Sequence, residues 1–182
     1  MESGFLEQDD VVVYHYCRFS DSASLSSAKV IGAIVAQLLG KLPHNIPPPA
    51  LLSKLFNKCR TPSYPKPKEL QQSFHELCQQ FSRVFVIVDG LDEVIDRVEI
   101  LEFLTDLEAV GGIFKVFVAS RPEVDLEINF ESYLTVPITQ SDVQLDMETY
   151  VRQRLEKLQI GDDKDVSQDT IATELVERAQ GM

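Results

Sequence analysis

Two short, nearly unbroken apolar runs constrain the fold of this chain more than any other feature of its sequence. They are VFVIVD at Val84–Asp89 and KVFVA at Lys115–Ala119. Runs of this length without apolar/polar alternation are typical of strands covered on both faces of a parallel sheet. Between them, Val98–Leu107 has the three- and four-residue apolar spacing of a crossover helix. The sequence therefore predicts a doubly wound, three-layer α/β fold.

Further segments extend this pattern in both directions along the chain. Two more β-rich runs predict strands at Val11–Phe19 and Tyr133–Val136. Apolar periodicity predicts one helix at Ala28–Leu39 and a second, Leu51–Cys59, inside the proline-rich loop Pro43–Lys68. No repeat with a period of 20 to 50 residues is present, so a solenoid has no support.

The C-terminal part of the sequence predicts two amphipathic helices, Ser141–Leu158 and Gln168–Ala179. Thr139 or Ser141 is the candidate N-cap of the first, and Ser167 that of the second. We expect a partial α/β nucleotide-binding core over residues 1–137 and the start of a helical lid over residues 138–182.

Composition excludes several classes of function. The net charge of −12 opposes binding to the phosphates of a nucleic acid. No apolar run approaches the roughly 20 residues of a membrane span, and the acidic start lacks the pattern of an export signal. We therefore expect a cytoplasmic protein without a membrane span. Its three cysteines lie far apart with no C-x-x-C pair, which favours buried thiols over disulfides or zinc.

The segment RVFVIVDGLDEV places three acids just after a buried strand. A parallel strand delivers Asp89 to the carboxyl edge of the sheet, where open α/β sheets bind ligands. Gly90 lets the chain turn there, and Asp92 and Glu93 follow within reach of a water that attacks phosphorus. This is a Walker B pattern. The alternative is an ordinary Asp-Gly turn in which Asp92 and Glu93 only add negative charge at the start of the next helix.

A second strand-end signal lies in FKVFVASRP, where the predicted strand ends in Ser120, Arg121 and Pro122. The carboxyl ends of parallel strands share one edge, so Arg121 is predicted near Asp89. A guanidinium there would neutralise charge on a transferred phosphoryl group. The alternative is an exposed arginine at a strand end, with Pro122 as the first residue of a helix.

Four blocks of the sequence, taken in order, resemble successive segments of NACHT domains, in particular the nephrocystin-type NACHT domains of fungal ankyrin- and WD-repeat proteins. They are VVVYHYCRFSDSASLSSAKVIGAIVAQLL, VFVIVDGLDEV, FKVFVASRP and ITQSDVQLDMETYVRQRLEKL. The resemblance covers most of the chain. It implies a P-loop NTPase of the STAND class, in which ATP or GTP with Mg²⁺ drives an oligomerisation switch. It further implies that Asp89 holds Mg²⁺ through water, that Asp92 and Glu93 lie near the attacking water, and that Arg121 is the sensor arginine.

The Walker A loop of such domains, GxxxxGK[ST], is missing from this sequence, although its N–H groups and lysine would hold the phosphates. The string Gly32–Lys41 has the wrong glycine spacing and lies in a predicted helix. The resemblance places the loop and first strand before Met1, so we expect a chain cut at both ends. The resemblance also places the missing strand beside the strand that precedes Arg121. Its absence would leave a gap or an unpaired edge there, and hence a marginally stable or self-associating protein.

Three functions remain open at this level. The chain is expected to be part of a NACHT-type signalling NTPase that binds nucleotide poorly without its Walker A loop. Alternatively, it is a nucleotide-independent module that binds protein partners through its acidic surface and C-terminal helices. A metal-dependent phosphotransferase built on Asp89, Asp92 and Glu93 is a third possibility, but no nucleophile is evident.

Overall fold

A computed structural model describes residues 9–20, 25–59, 65–110, 112–158 and 167–179. The chain divides into two compact units, Met1–Ser132 and Tyr133–Met182. The strands are β1 (Asp10–Tyr16), β2 (Arg83–Asp89) and β3 (Phe114–Ala119). The helices are α1 (Ser27–Lys41), α2 (Ala50–Cys59), α3 (Pro67–Cys78), α4 (Arg97–Val110), α5 (Val124–Asn129), α6 (Gln140–Leu158) and α7 (Gln168–Ala179), with one turn of 3-10 helix at Leu91–Glu93.

The first unit contains a parallel sheet with the strand order β1-β2-β3. Tyr16 of β1 lies beside Asp89 of β2, and Asp89 lies beside Ala119 of β3. All three strands therefore end at one rim. The predicted α/β fold with a parallel sheet is confirmed.

The two faces of the sheet differ in burial. Side chains on one face form the core with α1, α3 and α4 and are buried: Val11, Val13, Val84, Val86, Val88 and Phe114. On the other face, Tyr14, Tyr16 and Phe117 are 48%, 51% and 63% exposed. The expectation that both faces are covered is therefore met on one face only, within the described residues.

The two outer edges of the sheet also differ. At the β1 edge, the Tyr14 N–H donates to Gln37 Oε1 (3.1 Å) and the Gln37 amide donates to the Tyr14 carbonyl (2.6 Å), so a side chain of α1 occupies this edge. In β3, the residues that bond to β2 alternate with residues that face away from it. Val116 and Val118 face away, and their backbone groups have no hydrogen-bond partner among the described residues.

Three further sequence predictions need correction. Tyr133–Val136 forms no strand: it is irregular backbone, with Leu134 96% exposed and Val136 75% exposed, because no described strand offers it a ladder. The strand predicted over Val11–Phe19 ends at Tyr16. In addition, α3 begins at Pro67, inside the predicted loop, with the proline at the first helical position, where it costs no hydrogen bond.

The second unit is built from α6 and α7, which pack together through Leu155, Ala172 and Val176. Both helices are found where the sequence predicts them. The Ser167 hydroxyl accepts a hydrogen bond from the Thr170 N–H at the start of α7, as an N-cap does. At the start of α6, the Thr139 hydroxyl and the Thr139 N–H both donate to the Asp142 carboxylate, and these hydrogen bonds lower the pKa of that carboxyl. No helix of the described residues is long and apolar enough to span a membrane.

Candidate functional site

The site predicted from the sequence lies at the carboxyl rim of the sheet, where β2 ends. Asp89 is the last residue of β2 and its side chain is exposed. The chain then turns at Gly90 and enters the 3-10 helix Leu91–Glu93. Leu91 is fully buried in the core and anchors the turn. Three carboxylates therefore follow one another around an anchored turn at the strand's end.

Gly90 is required by this geometry. Its φ of 73° and ψ of 39° lie in the left-handed region, which glycine adopts without a steric penalty. The turn also passes close to β1, because a Cβ at this position would lie 3.0 Å from the carbonyl oxygen of Cys17. Only glycine allows both the conformation and the close approach.

Gly90→Ala is therefore expected to lower the free energy of unfolding by about 2 kcal/mol, from the left-handed backbone penalty and the contact with Cys17. Urea denaturation followed by circular dichroism measures this change. Gly32→Ala is the matched control: it lies within α1, where the nearest atom to the added Cβ is Leu70 Cδ1 at 3.8 Å. It should stabilise the helix by about 0.5–1 kcal/mol. Equal losses in both variants would contradict a special role for Gly90.

Arg121 lies at the same rim, two residues after the end of β3. Its backbone N–H donates to Asp92 Oδ1 at 3.1 Å, and its Nε lies 3.9 Å from Asp92 Oδ2. The guanidinium is nevertheless 79% exposed, whereas the Asp92 side chain is only 9% exposed. The structure thus brings together every residue that the sequence proposed for the site: Asp89, Gly90, Asp92, Glu93 and Arg121.

The carboxylates at the rim differ in the hydrogen bonds that they accept. Asp92 already accepts the Arg121 N–H, while the Asp89 and Glu93 carboxylates accept no hydrogen bond from a described residue. Among the described residues, no group of three or more His, Cys, Asp or Glu side chains converges as a metal cage would. Mg²⁺ commonly uses one or two carboxylates and keeps several waters. Asp89 fits that kind of site, so the donor set suits a loosely held Mg²⁺.

Cys17 is a neighbour of the acids that sequence reasoning did not connect with them. Its N–H donates to the Asp89 carbonyl at 2.9 Å, which continues the β1–β2 ladder to the rim. Burial raises the pKa of the Cys17 thiol to about 11, with further contributions from the charges of Asp89, Asp92 and Glu93. The negative charge of the rim therefore contributes to the raised pKa of this thiol.

Two further contacts hold the rim and were also missed. The Arg97 guanidinium, at the first residue of α4, donates to Glu123 Oε2 at 2.5 Å. The Ser27 N–H at the start of α1 donates to Asp96 Oδ1 at 2.8 Å. Asp96 thus satisfies a donor that a helix leaves free in its first turn. No local sequence motif predicts these contacts, because each joins residues far apart in the sequence.

Comparison with known proteins gives one family. The family model described as nephrocystin 3, N-terminal, matches residues 3–121, which is more than half of the chain. The match includes all of β1, β2 and β3 and ends at Arg121. No curated protein matches the chain.

Proposed function

The chain belongs to the nephrocystin 3 N-terminal family, and on that basis we propose that it carries the Walker B and sensor-arginine half of a NACHT-type, STAND-class P-loop NTPase. In this proposal, ATP or GTP with Mg²⁺ drives an oligomerisation switch in a signalling protein. Because the 182-residue sequence contains no GxxxxGK[ST] loop, the chain by itself is expected to bind nucleotide poorly.

The observation that carries the proposal is the meeting of acids and a guanidinium on two adjacent parallel strands. Asp89 ends β2, its neighbour in register on β3 is Ala119, and Arg121 follows two residues later. Open α/β sheets bind ligands at this edge. A nucleoside triphosphate with its metal needs both charges there, because the acid holds the cation and the arginine neutralises the transferred phosphoryl group.

Each residue then has a separate task. The exposed carboxylate of Asp89 would hold Mg²⁺ through water, and the metal would neutralise phosphate charge. Glu93 or Asp92 would orient the attacking water, and the exposed guanidinium of Arg121 would reach the phosphoryl oxygens. Gly90 keeps side-chain bulk away from the turn. Nucleotide-dependent contacts of this kind can bias a signalling protein between closed and open states.

The Cys17 thiol offers a test within the protein itself. The thiolate is the reacting form, so the alkylation rate at pH 8 should be low and should rise toward the pKa of about 11. Millimolar Mg²⁺ at Asp89 should lower this pKa and raise the rate by about tenfold per pKa unit. Asp89→Asn should raise the basal rate and remove the Mg²⁺ response. Iodoacetamide labelling followed by peptide mass spectrometry measures both.

Cys78 is the internal control for this experiment. Burial alone raises its pKa to about 12, with no contribution from the acids of the rim. Its labelling rate should therefore not change with Mg²⁺ or with Asp89→Asn. If Mg²⁺ does not change the Cys17 alkylation rate, either with or without ATP, the result would count against a cation site at Asp89. It would favour the nucleotide-independent alternative.

That alternative, a protein-interaction module, is favoured by a specific observation. The β3 edge presents the backbone groups of Val116 and Val118 without a described partner, while the β1 edge is occupied by Gln37. Next to this edge lies Phe117, 63% exposed. Unprotected apolar edges of this kind pair readily with another chain. Self-association through β3 is the form of the alternative that the structure supports best.

The β3 edge is therefore expected to cause concentration-dependent self-association, measurable by sedimentation velocity. Val118→Pro should weaken it, because proline removes an outward-facing N–H without removing a ladder bond to β2. Lys115→Gln is the matched control on the same strand and should leave the association unchanged. A monodisperse monomer at all concentrations, or equal effects of both variants, would exclude this edge as the contact.

A further inference from the structure

The segment that carries Arg121 is attached to the rest of the rim at two points. At the first, the Arg121 N–H donates to Asp92 Oδ1 at 3.1 Å. At the second, the Glu123 carboxylate accepts from Arg97 Nη1 at 2.5 Å. These contacts lie on either side of Pro122, whose ring already restricts the backbone. The segment is thus held at both of its ends.

Arg97 joins three parts of the structure with one side chain. Besides Glu123, its Nη1 lies 3.4 Å from the carbonyl oxygen of Asp92, and its Nε lies 3.4 Å from Asp125 Oδ2. Its side chain is 23% exposed, whereas those of Glu123 and Asp125 are 40% and 47% exposed, so the arginine side of these contacts is the better shielded from water. The rigid, five-donor fork of a guanidinium suits such a junction, whereas an ammonium group can serve it only in part.

The two contacts fix the backbone of Arg121 but leave its side chain accessible. The guanidinium is 79% exposed even though its own N–H is bonded to a carboxylate that is 9% exposed. A residue that must meet a ligand in one orientation benefits from such an arrangement, because little backbone freedom remains to be lost on binding. The exposed guanidinium of Arg121 is therefore free to meet a ligand, while Asp92 holds the backbone of the same residue.

We propose that Asp92 and Arg97 are positioning residues, which together clamp the Arg121-bearing segment to the turn after β2. Glu93 is then the acid that remains to orient water, since its carboxylate accepts no hydrogen bond from a described residue. The meaning of this clamp for catalysis rests on the function proposed above. The existence of the clamp does not, because it can be measured without nucleotide.

Amide hydrogen exchange of the 182-residue chain, resolved by NMR, tests the clamp. Asp92→Ala should accelerate exchange of the Arg121 amide by about tenfold or more, because a hydrogen bond to a charged acceptor is lost. Asp92→Asn should restore most of the protection, because the amide oxygen of asparagine can accept the same hydrogen bond. Arg97→Ala should accelerate exchange of the Glu127 amide, which donates to the Glu123 carbonyl at 2.9 Å, and Arg97→Lys should rescue it only in part.

Glu102→Ala supplies the matched control, since this acid is exposed on the same helix as Arg97. It should leave exchange at the Arg121 and Glu127 amides unchanged. The clamp is refuted if Asp92→Asn exchanges as fast as Asp92→Ala, or if exchange in the variants rises equally in β2 and α3, which would indicate global unfolding. The two proposals can fail separately. If the Cys17 alkylation rate does not respond to Mg²⁺ while Arg121 amide exchange changes as expected, the nucleotide-site proposal is rejected and the clamp is retained.

Discussion

Phe74→Ala is expected to lower the free energy of unfolding of the first unit by about 4 kcal/mol, the largest effect of any single change that we consider. Phe74 is fully buried in α3. Its ring meets Phe103 of α4 edge-on at 5.0 Å and stacks on Phe114 of β3 at 5.7 Å. Truncation would remove apolar contact with two elements and leave a cavity that the packed sheet and helices cannot close.

Urea denaturation followed by tyrosine fluorescence measures this loss, since the chain has no tryptophan. Phe56→Ala is the matched control: Phe56 lies on α2 and is 67% exposed, so its truncation should change the stability by less than about 1 kcal/mol. If the two variants lose similar amounts, Phe74 does not have the central position in the core that the structure gives it.

Arg83→Met is expected to lower the free energy of unfolding of the first unit by about 3 kcal/mol, the second largest effect. The Arg83 guanidinium donates twice to Asp10, with Nη2 2.6 Å from Oδ2 and Nε 2.9 Å from Oδ1. The Asp10 side chain is fully buried and Arg83 is 34% exposed. The substitution would leave a buried carboxylate without its guanidinium partner, which is strongly destabilising in proteins.

A double variant separates the charge effect from a loss of packing. Asp10→Leu combined with Arg83→Met removes both charges, and such replacements of buried ion pairs are often close to neutral. The double variant should therefore recover most of the stability that Arg83→Met loses, again by urea denaturation. If the double variant is as unstable as the single one, the buried charge is not the cause.

The ion pair also has a consequence for the site. Asp10 and Arg83 lie side by side at the amino ends of β1 and β2, and they are register partners. Since a shift of one residue would turn every side chain to the opposite face, this pair helps to keep the β1–β2 register. The same register places Tyr16 beside Asp89 at the rim and brings Cys17 to the Gly90 turn. The position of the acids thus depends partly on a contact at the far end of the strands.

Much of the fold could be predicted from the sequence because its signals are local. The apolar run of β2 and the periodicity of α1, α4, α6 and α7 each lie within some ten to twenty residues. The acids of the rim were predictable for the same reason: a parallel strand that ends in Asp89 and Gly90 delivers them to the carboxyl edge. The position of Arg121 followed from the same rule, applied to β3.

Tyr133–Val136 shows why the remaining features could not be predicted. Its four residues have strand propensity, but a strand also needs a ladder partner, and propensity yields to tertiary context. The partial exposure of one face of the sheet, with Tyr14 and Phe117, likewise could not be predicted from an apolar run. Burial depends on which helices pack on the sheet, which is a property of the assembled unit.

The sequence by itself determined the three strands of the sheet, most of the helices and which charged residues lie at the rim, because these depend on the order of neighbouring residues. Only the tertiary structure decided which edge of the sheet is occupied, how Arg83 pairs with Asp10, and how Arg97 and Asp92 hold the Arg121 segment. Those contacts join residues separated by 23 to 73 positions. Such pairs are fixed only when packing brings their elements together.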